Sequence, residues 1–217
     1  MANHFDLEEQ EQLDQLKHFW KQYGNLITGL VIVVAGAFAA WTGYQYWQKR
    51  TASQASVMFD EVDRVLRSGD LALAERVFGE MKDRFASTVY TQQAGLSLAK
   101  LAYQGQKPEV AKSSLAWVAG SNADAAYAAI AKLRLAGIYI ESKEFAQASK
   151  LLGEAYPASF AALVADKKGD MLLAQGKSPE AVAEYQKAWA GLDTRAEYRR
   201  LVSVKLGALG ASETASN

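Results

Sequence analysis

The chain has no cysteine, 3 prolines and 2 histidines in 217 residues. Without cysteine there is no disulfide, no thiol nucleophile and no thiolate zinc site. The histidines, His4 and His18, both precede the bulk of the chain, so the remainder has no material for a His-based triad or a His-rich metal site. Charge of one sign is also lacking in excess: 24 basic residues balance 24 acidic ones. No dense Lys/Arg block exists to track a polyanion, which argues against nucleic acid as a partner. No Gly-rich phosphate loop is present. Asp166 and Asp170 lie four apart on one helical face, with Lys167 and Lys168 between them. Paired carboxylates can serve acid–base work, but a solvated face accounts for the same spacing. The expectation is a protein with no catalytic residues, no metal and no cofactor. Scarce proline and abundant alanine favour helices throughout, an all-α fold.

Charge is also missing from one long stretch. Between Lys21 and Lys49 no residue is charged. A helix over 22–48 would rise about 40 Å, and about 20 apolar residues suffice to cross the hydrocarbon of a bilayer. Trp20 and Tyr23 sit at one end, and Trp41, Tyr44, Tyr46 and Trp47 at the other. Such rings favour the headgroup level, where their apolar and polar parts are both satisfied. Residues 22–48 are therefore expected to be a single transmembrane helix in contact with lipid. Ala37-Phe38-Ala39 mimics a signal-cleavage site. The preceding segment is long and acidic, however, and the apolar run continues to Trp47, so an uncleaved anchor is expected. Lys17 and Lys21 flank one end, while Lys49, Arg50, Arg64 and Arg67 follow the other. That count leans towards a cytoplasmic C-terminal part, but long domains translocate largely regardless of charge, so composition leaves orientation open.

Gly29, Gly36 and Gly43 recur every seven residues and so form one stripe along the span. Such a stripe lets another helix approach closely in lipid, and it also arises because glycine is common in spans. In the stretch 6–24, which joins the segment 1–21 to the span, Leu13, Leu16, Trp20 and Tyr23 share a helical face. Acidic residues come early and basic ones late, which suits the helix dipole. A short amphipathic helix is expected there.

Residues 52–208 repeat a pattern of helix, polar turn and second helix. The marker alanines of the second helices are Ala74, Ala111, Ala148 and Ala181, spaced by 37, 37 and 33 residues. Small or apolar residues recur on the first helices at Val62, Ala99, Ala136 and Gly169, and larger ones on the second at Phe78, Leu115, Leu152 and Tyr185. A further second-helix position holds Met81, Val118, Ala155 and Ala188, of which the last two fit a small-residue site best. The turns fall at Ser68-Gly69-Asp70, Gln104-Gly105-Gln106, Ser142-Lys143-Glu144 and Gln175-Gly176-Lys177. Pro108 and Pro179 open second helices, where a missing N–H costs nothing, and Ser178 is placed as a cap. Residues 195–208 would close the array, and 209–217 are expected to be disordered.

A period near 34 built from helix–turn–helix units resembles the tetratricopeptide repeat. The resemblance implies a degenerate α-solenoid whose first helices line a concave groove. Projected onto this chain, the groove would present Phe59, Asp63, Arg67, Leu96, Lys100, Tyr103, Leu133, Ile140, Asp166, Asp170 and Leu173. Their mix of apolar and charged groups suits an extended or helical polypeptide, although some of them would be expected in the core between repeats.

LKHFWKQYGN (16–25), GYQYWQ (43–48) and AALVADKKGDMLLAQGKSPEAVAEYQKA (161–188) together resemble the ancillary SecYEG translocon subunit family over essentially the whole chain. The resemblance implies a bacterial inner-membrane protein with residues 1–21 in the cytoplasm and the array in the periplasm. It implies association with the SecYEG channel and with a membrane-anchored, peptidyl-prolyl isomerase-like chaperone. Nascent secreted or outer-membrane polypeptides are the further partners it suggests. The alternative from the charge count is an anchored scaffold or regulatory protein whose array faces the cytoplasm.

Overall fold

A computed structural model describes the backbone of residues 7–213 and the side chains of residues 11–213. Expectations for His4 and for residues 214–217 fall outside the described residues. The chain divides between Arg50 and Thr51 into two units.

The first unit is helical throughout its described part. It belongs to α1, Leu7–Ser68. Its apolar side chains are not buried: Leu26, Val33 and Phe38 are each more than three-fifths exposed. Each large apolar side chain left in water forgoes about 1.5–3 kcal/mol of transfer free energy. The helix is long and apolar enough to cross a membrane. The aromatic residues at its two ends pair along the helix, Phe19 with Tyr23 at 5.1 Å and Tyr44 with Trp47 at 6.3 Å. Thr42 returns its hydroxyl to the Phe38 and Ala39 carbonyls at 3.0 Å, so its polar group needs no water.

The second unit begins within α1 at Thr51 and continues through α2 (Leu71–Phe85), α3 (Val89–Gln104), α4 (Pro108–Gly120), α5 (Ala125–Glu141), α6 (Phe145–Leu152), α7 (Ala161–Ala174), α8 (Ser178–Gly191) and α9 (Glu197–Ala208). From α2 onwards each helix packs against the next, while α3 also touches α5 and α5 touches α7. That pattern of neighbour plus next-but-one is a helical solenoid.

The repeat read from the sequence explains the packing. Ala74, Ala111, Ala148 and Ala181 have no exposed surface. They mark places where two helices approach too closely for a larger side chain. Phe78, Leu115, Leu152 and Tyr185 are buried beside them. Two glycines carry the closest approaches. A Cβ on Gly95 would lie 2.5 Å from Val118 Cγ2, and one on Gly169 would lie 2.5 Å from Tyr185 Cε1. The Phe78 and Trp117 rings meet edge to face at 5.4 Å between α2 and α4.

Two details differ from expectation, and a third fixes the register of the turns. Met81 and Val118 are fully buried, so the early units accommodate large residues at that site; the mismatch is Ala155, which is exposed beyond the end of the short helix α6. Ser178 is the first residue of α8 and makes no capping hydrogen bond, because the cap position falls on Lys177. In the second turn the left-handed residue is Gln106 (φ 56°) and not Gly105, placing it in line with Gly69, Lys143 and Gly176. Side-chain caps are made by Asp70, whose carboxylate accepts from the Leu73 N–H at 3.0 Å, by Thr88, whose hydroxyl accepts from the Thr91 N–H at 3.4 Å, and by Asp124, which accepts from Ala126 and Tyr127 at 2.8 and 3.1 Å.

Residues 209–213 also depart from the disordered reading of 209–217. The Ala211 N–H returns to the Leu206 carbonyl at 3.0 Å, and Gln186 Nε2 donates to the Ser212 carbonyl at 3.0 Å.

Candidate polypeptide-binding groove

A groove of about 640 Å³ opens along α3, α5 and α7. Its floor is apolar: Ala99, Leu115, Leu133 and Ile138. α3 contributes Lys100, Tyr103 and Gln104 at the three- and four-residue spacing that keeps them on one face. α5 contributes Arg134, Gly137 and Glu141 by the same rule, and α7 contributes Lys167. Gly137 leaves a gap, since a Cβ there would have nothing within 4 Å.

The charges along this groove differ in how they are satisfied. The Tyr103 hydroxyl donates to the Glu141 carboxylate and ties α3 to α5. That hydrogen bond, helped by partial burial, raises the Tyr103 phenol above its ordinary range. Lys167 is paired with Asp170 at 2.8 Å. Lys100 and Arg134 have no ion-pair partner among the described residues. The groove therefore presents two unpaired cations, and one carboxylate held only by a phenol, beside an apolar floor.

Behind the end of the groove lies a second polar cluster, closed in on itself. Asp166 is fully buried. Its Oδ2 accepts from the Tyr198 hydroxyl at 2.6 Å, and both of its oxygens accept from Lys205 Nζ, at 2.7 and 2.9 Å. Asp170 Oδ1 accepts from the same Lys205 at 2.6 Å and from the Tyr185 hydroxyl at 2.9 Å. Burial alone would raise the Asp170 carboxyl, but the hydrogen bonds from Lys167 and Lys205 outweigh it and hold the group below its usual range. Burial first, then the neighbouring carboxylates, push the Tyr185 and Tyr198 phenols well above theirs. Both phenols thus remain proton donors, and α7, α8 and α9 are joined by one lysine and two tyrosines.

The tetratricopeptide repeat-like domain family matches residues 17–211. A protein of Neisseria gonorrhoeae named ancillary SecYEG translocon subunit is 30% identical over 96% of this chain and 100% of its own length. This chain belongs to the ancillary SecYEG translocon subunit family. Proteins of the same name from Haemophilus influenzae and Escherichia coli are each 26% identical, over 85% and 77% of this chain and 90% and 81% of their own. No solved structure matches the chain.

For this family member, the groove residues read from sequence divide into four groups. Lys100, Tyr103 and Leu133 meet in the groove. Phe59, Asp63 and Arg67 lie on α1, where Phe59 packs 6.1 Å from Tyr90 and Asp63 pairs with Arg67 at 2.7 Å. Leu173 is exposed near the end of α7. The other residues serve the interior: Leu96 is core, Ile140 packs on the core between α5 and α6, and Asp166 and Asp170 belong to the closed cluster. Asp166 is thus inaccessible to a bound chain, and the solvated-face reading of this carboxylate pair is replaced by a buried one. Arg134, Gly137, Glu141 and Lys167 were missed. The available signal was Gly137, since a glycine inside a helical pattern weakens the helix unless it serves packing or function.

In the first unit, Gly29, Gly36 and Gly43 keep their seven-residue spacing on α1, and a Cβ on any of them would meet nothing within 4 Å. Gly24 differs, because its missing side chain is covered by the Trp20 ring.

Proposed function

We propose that this chain is a non-enzymatic accessory subunit of the Sec translocon, tethered to the bacterial inner membrane by α1. The observation that carries this is the full-length alignment with a relative of that name, which includes the apolar helix as well as the array. In this reading residues 1–21 are cytoplasmic, 22–48 cross the membrane and the array works in the periplasm. The array assists secreted or outer-membrane polypeptides as they emerge, together with a membrane-anchored, isomerase-like chaperone. The α3–α5–α7 groove is the contact surface for polypeptide. The stripe Gly29, Gly36, Gly43 is the face that meets other spans, since it leaves room for a neighbouring backbone. Tethering makes weak groove contacts sufficient, because a linked partner is met at roughly millimolar effective concentration.

Full-length protein extracted in mild detergent should co-purify with SecYEG, and Gly36→Leu should lower the recovery. Absence of the channel from the wild-type preparation would defeat the translocon assignment. Protease applied to intact spheroplasts should remove a tag placed after Asn217. Protection until lysis would instead favour a scaffold whose array faces the cytoplasm, the orientation towards which the flanking lysines and arginines lean.

A further inference from the structure

We infer that the occupant of the α3–α5–α7 groove is an acidic, apolar polypeptide segment: an apolar side chain seats over Gly137, and carboxylates on either side of it pair with Lys100 and Arg134. This rests on the reading above that the groove holds polypeptide.

The selection comes from how the charges are satisfied. Of the ionic groups that line the groove, Lys167 is in an ion pair with Asp170 and Glu141 is held by a neutral phenol, that of Tyr103. Lys205 holds both Asp166 and Asp170. Lys100 and Arg134 are left, one on each of two adjacent first helices, with Leu115, Leu133 and Ile138 below them. A basic segment would meet these cations without compensation, and a neutral one would leave them unpaired while covering them. An acidic segment gains two charge pairs, and an arginine can hold a carboxylate through two parallel hydrogen bonds. The apolar component follows from Gly137, where the floor has open space at the level of the α5 backbone. Apart from Leu115 of α4, the lining is drawn from α3, α5 and α7, one helix from each of three successive units. A lining repeated in this way suits a polymer more than a compact ligand.

The test uses the full chain in detergent and a fluorescein-labelled peptide in which leucines alternate with glutamates, read by fluorescence anisotropy. The control peptides replace every glutamate by glutamine or by lysine. The glutamate peptide should bind tighter than the glutamine peptide, and added salt should weaken it. The double variant Lys100→Glu/Arg134→Glu should weaken it about tenfold or more and should favour the lysine peptide instead. Gly137→Leu, which fills the gap without a backbone clash, should abolish binding of all peptides. Unchanged melting temperatures will show that these variants fold; if the charge reversal does not fold, Lys100→Gln/Arg134→Gln serves, with loss of the glutamate peptide's advantage as its readout. Equal binding of the glutamate and glutamine peptides, blocked by Gly137→Leu, would overturn the acidic specificity and leave the polypeptide groove standing. Binding untouched by Gly137→Leu, or no binding by any peptide, would overturn both. Co-purification with SecYEG is independent of these readings and would survive either failure.

Discussion

Two lysines of the array stand in opposite circumstances. Lys205 reaches from α9 into a buried cluster and satisfies two carboxylates, with its charge also 5.2 Å from the centre of the Tyr185 ring. Lys100 lies along an open groove and has no ion-pair partner among the described residues. A glycine accompanies each. Gly169 lies against Tyr185 with no room for a Cβ, whereas Gly137 faces empty space. The same two residue types are consumed by the fold at one end of α7 and left available beside α3 and α5. The difference teaches which polar groups hold the molecule together and which are free for a partner.

Substitutions at these four positions break or sharpen that contrast. Lys205→Met carries the largest expected effect, because it strands the buried Asp166. Breaking a buried pair on one side costs about 3–5 kcal/mol, which urea unfolding of the array will register. Gly169→Ala pushes a methyl group into the Tyr185 ring and should destabilise by about 1–3 kcal/mol on the same assay. Gly137→Ala should do the opposite and stabilise by up to about 1 kcal/mol, since it removes a helix-interior glycine without a clash. Lys100→Ala should leave stability within about 0.5 kcal/mol while weakening the bound segment. A destabilising Lys100→Ala, or a harmless Lys205→Met, would reverse the assignment of roles.

The contrast extends to pH. Asp170 titrates below its ordinary range in the folded chain. Its contribution to stability is therefore complete above the unfolded-state value, near about 3.9, and is lost as pH falls through the lower folded value. Helical ellipticity should hold down to about pH 4 and fall below it, with a shallower acid dependence in Asp170→Asn.

The repeat was legible because its cause is local. An alanine that recurs every 37 or 33 residues marks a close helix crossing, and all four marker alanines are fully buried. The groove was only partly legible. Lys100, Tyr103 and Leu133 follow from counting along one unit, but the rotation of α5 that presents Arg134, Gly137 and Glu141 in place of Ile140 depends on how α5 beds against its neighbours. Asp166 was least legible. Lys167 and Lys168 follow it, and nothing near it announces that a residue 39 positions later will pair with it. The turn at 104–106 was legible, but not which of its residues is left-handed: that residue is Gln106, while Gly105 ends α3 with its N–H on the Leu101 carbonyl.

That separation of 39 positions sets an order of events. In a solenoid most contacts are made between sequence neighbours, so units can settle one after another as the chain is delivered from its N-terminal side. Asp170 finds Lys167 on its own helix and Tyr185 on α8, but Asp166 must keep its hydration until α9 brings Tyr198 and Lys205. A chain halted before α9 would carry one unpartnered carboxylate, Asp166, at the place where its core should close. Arrival of α9 is thus the step that takes the Asp166 carboxylate out of water, and an array without it keeps that water.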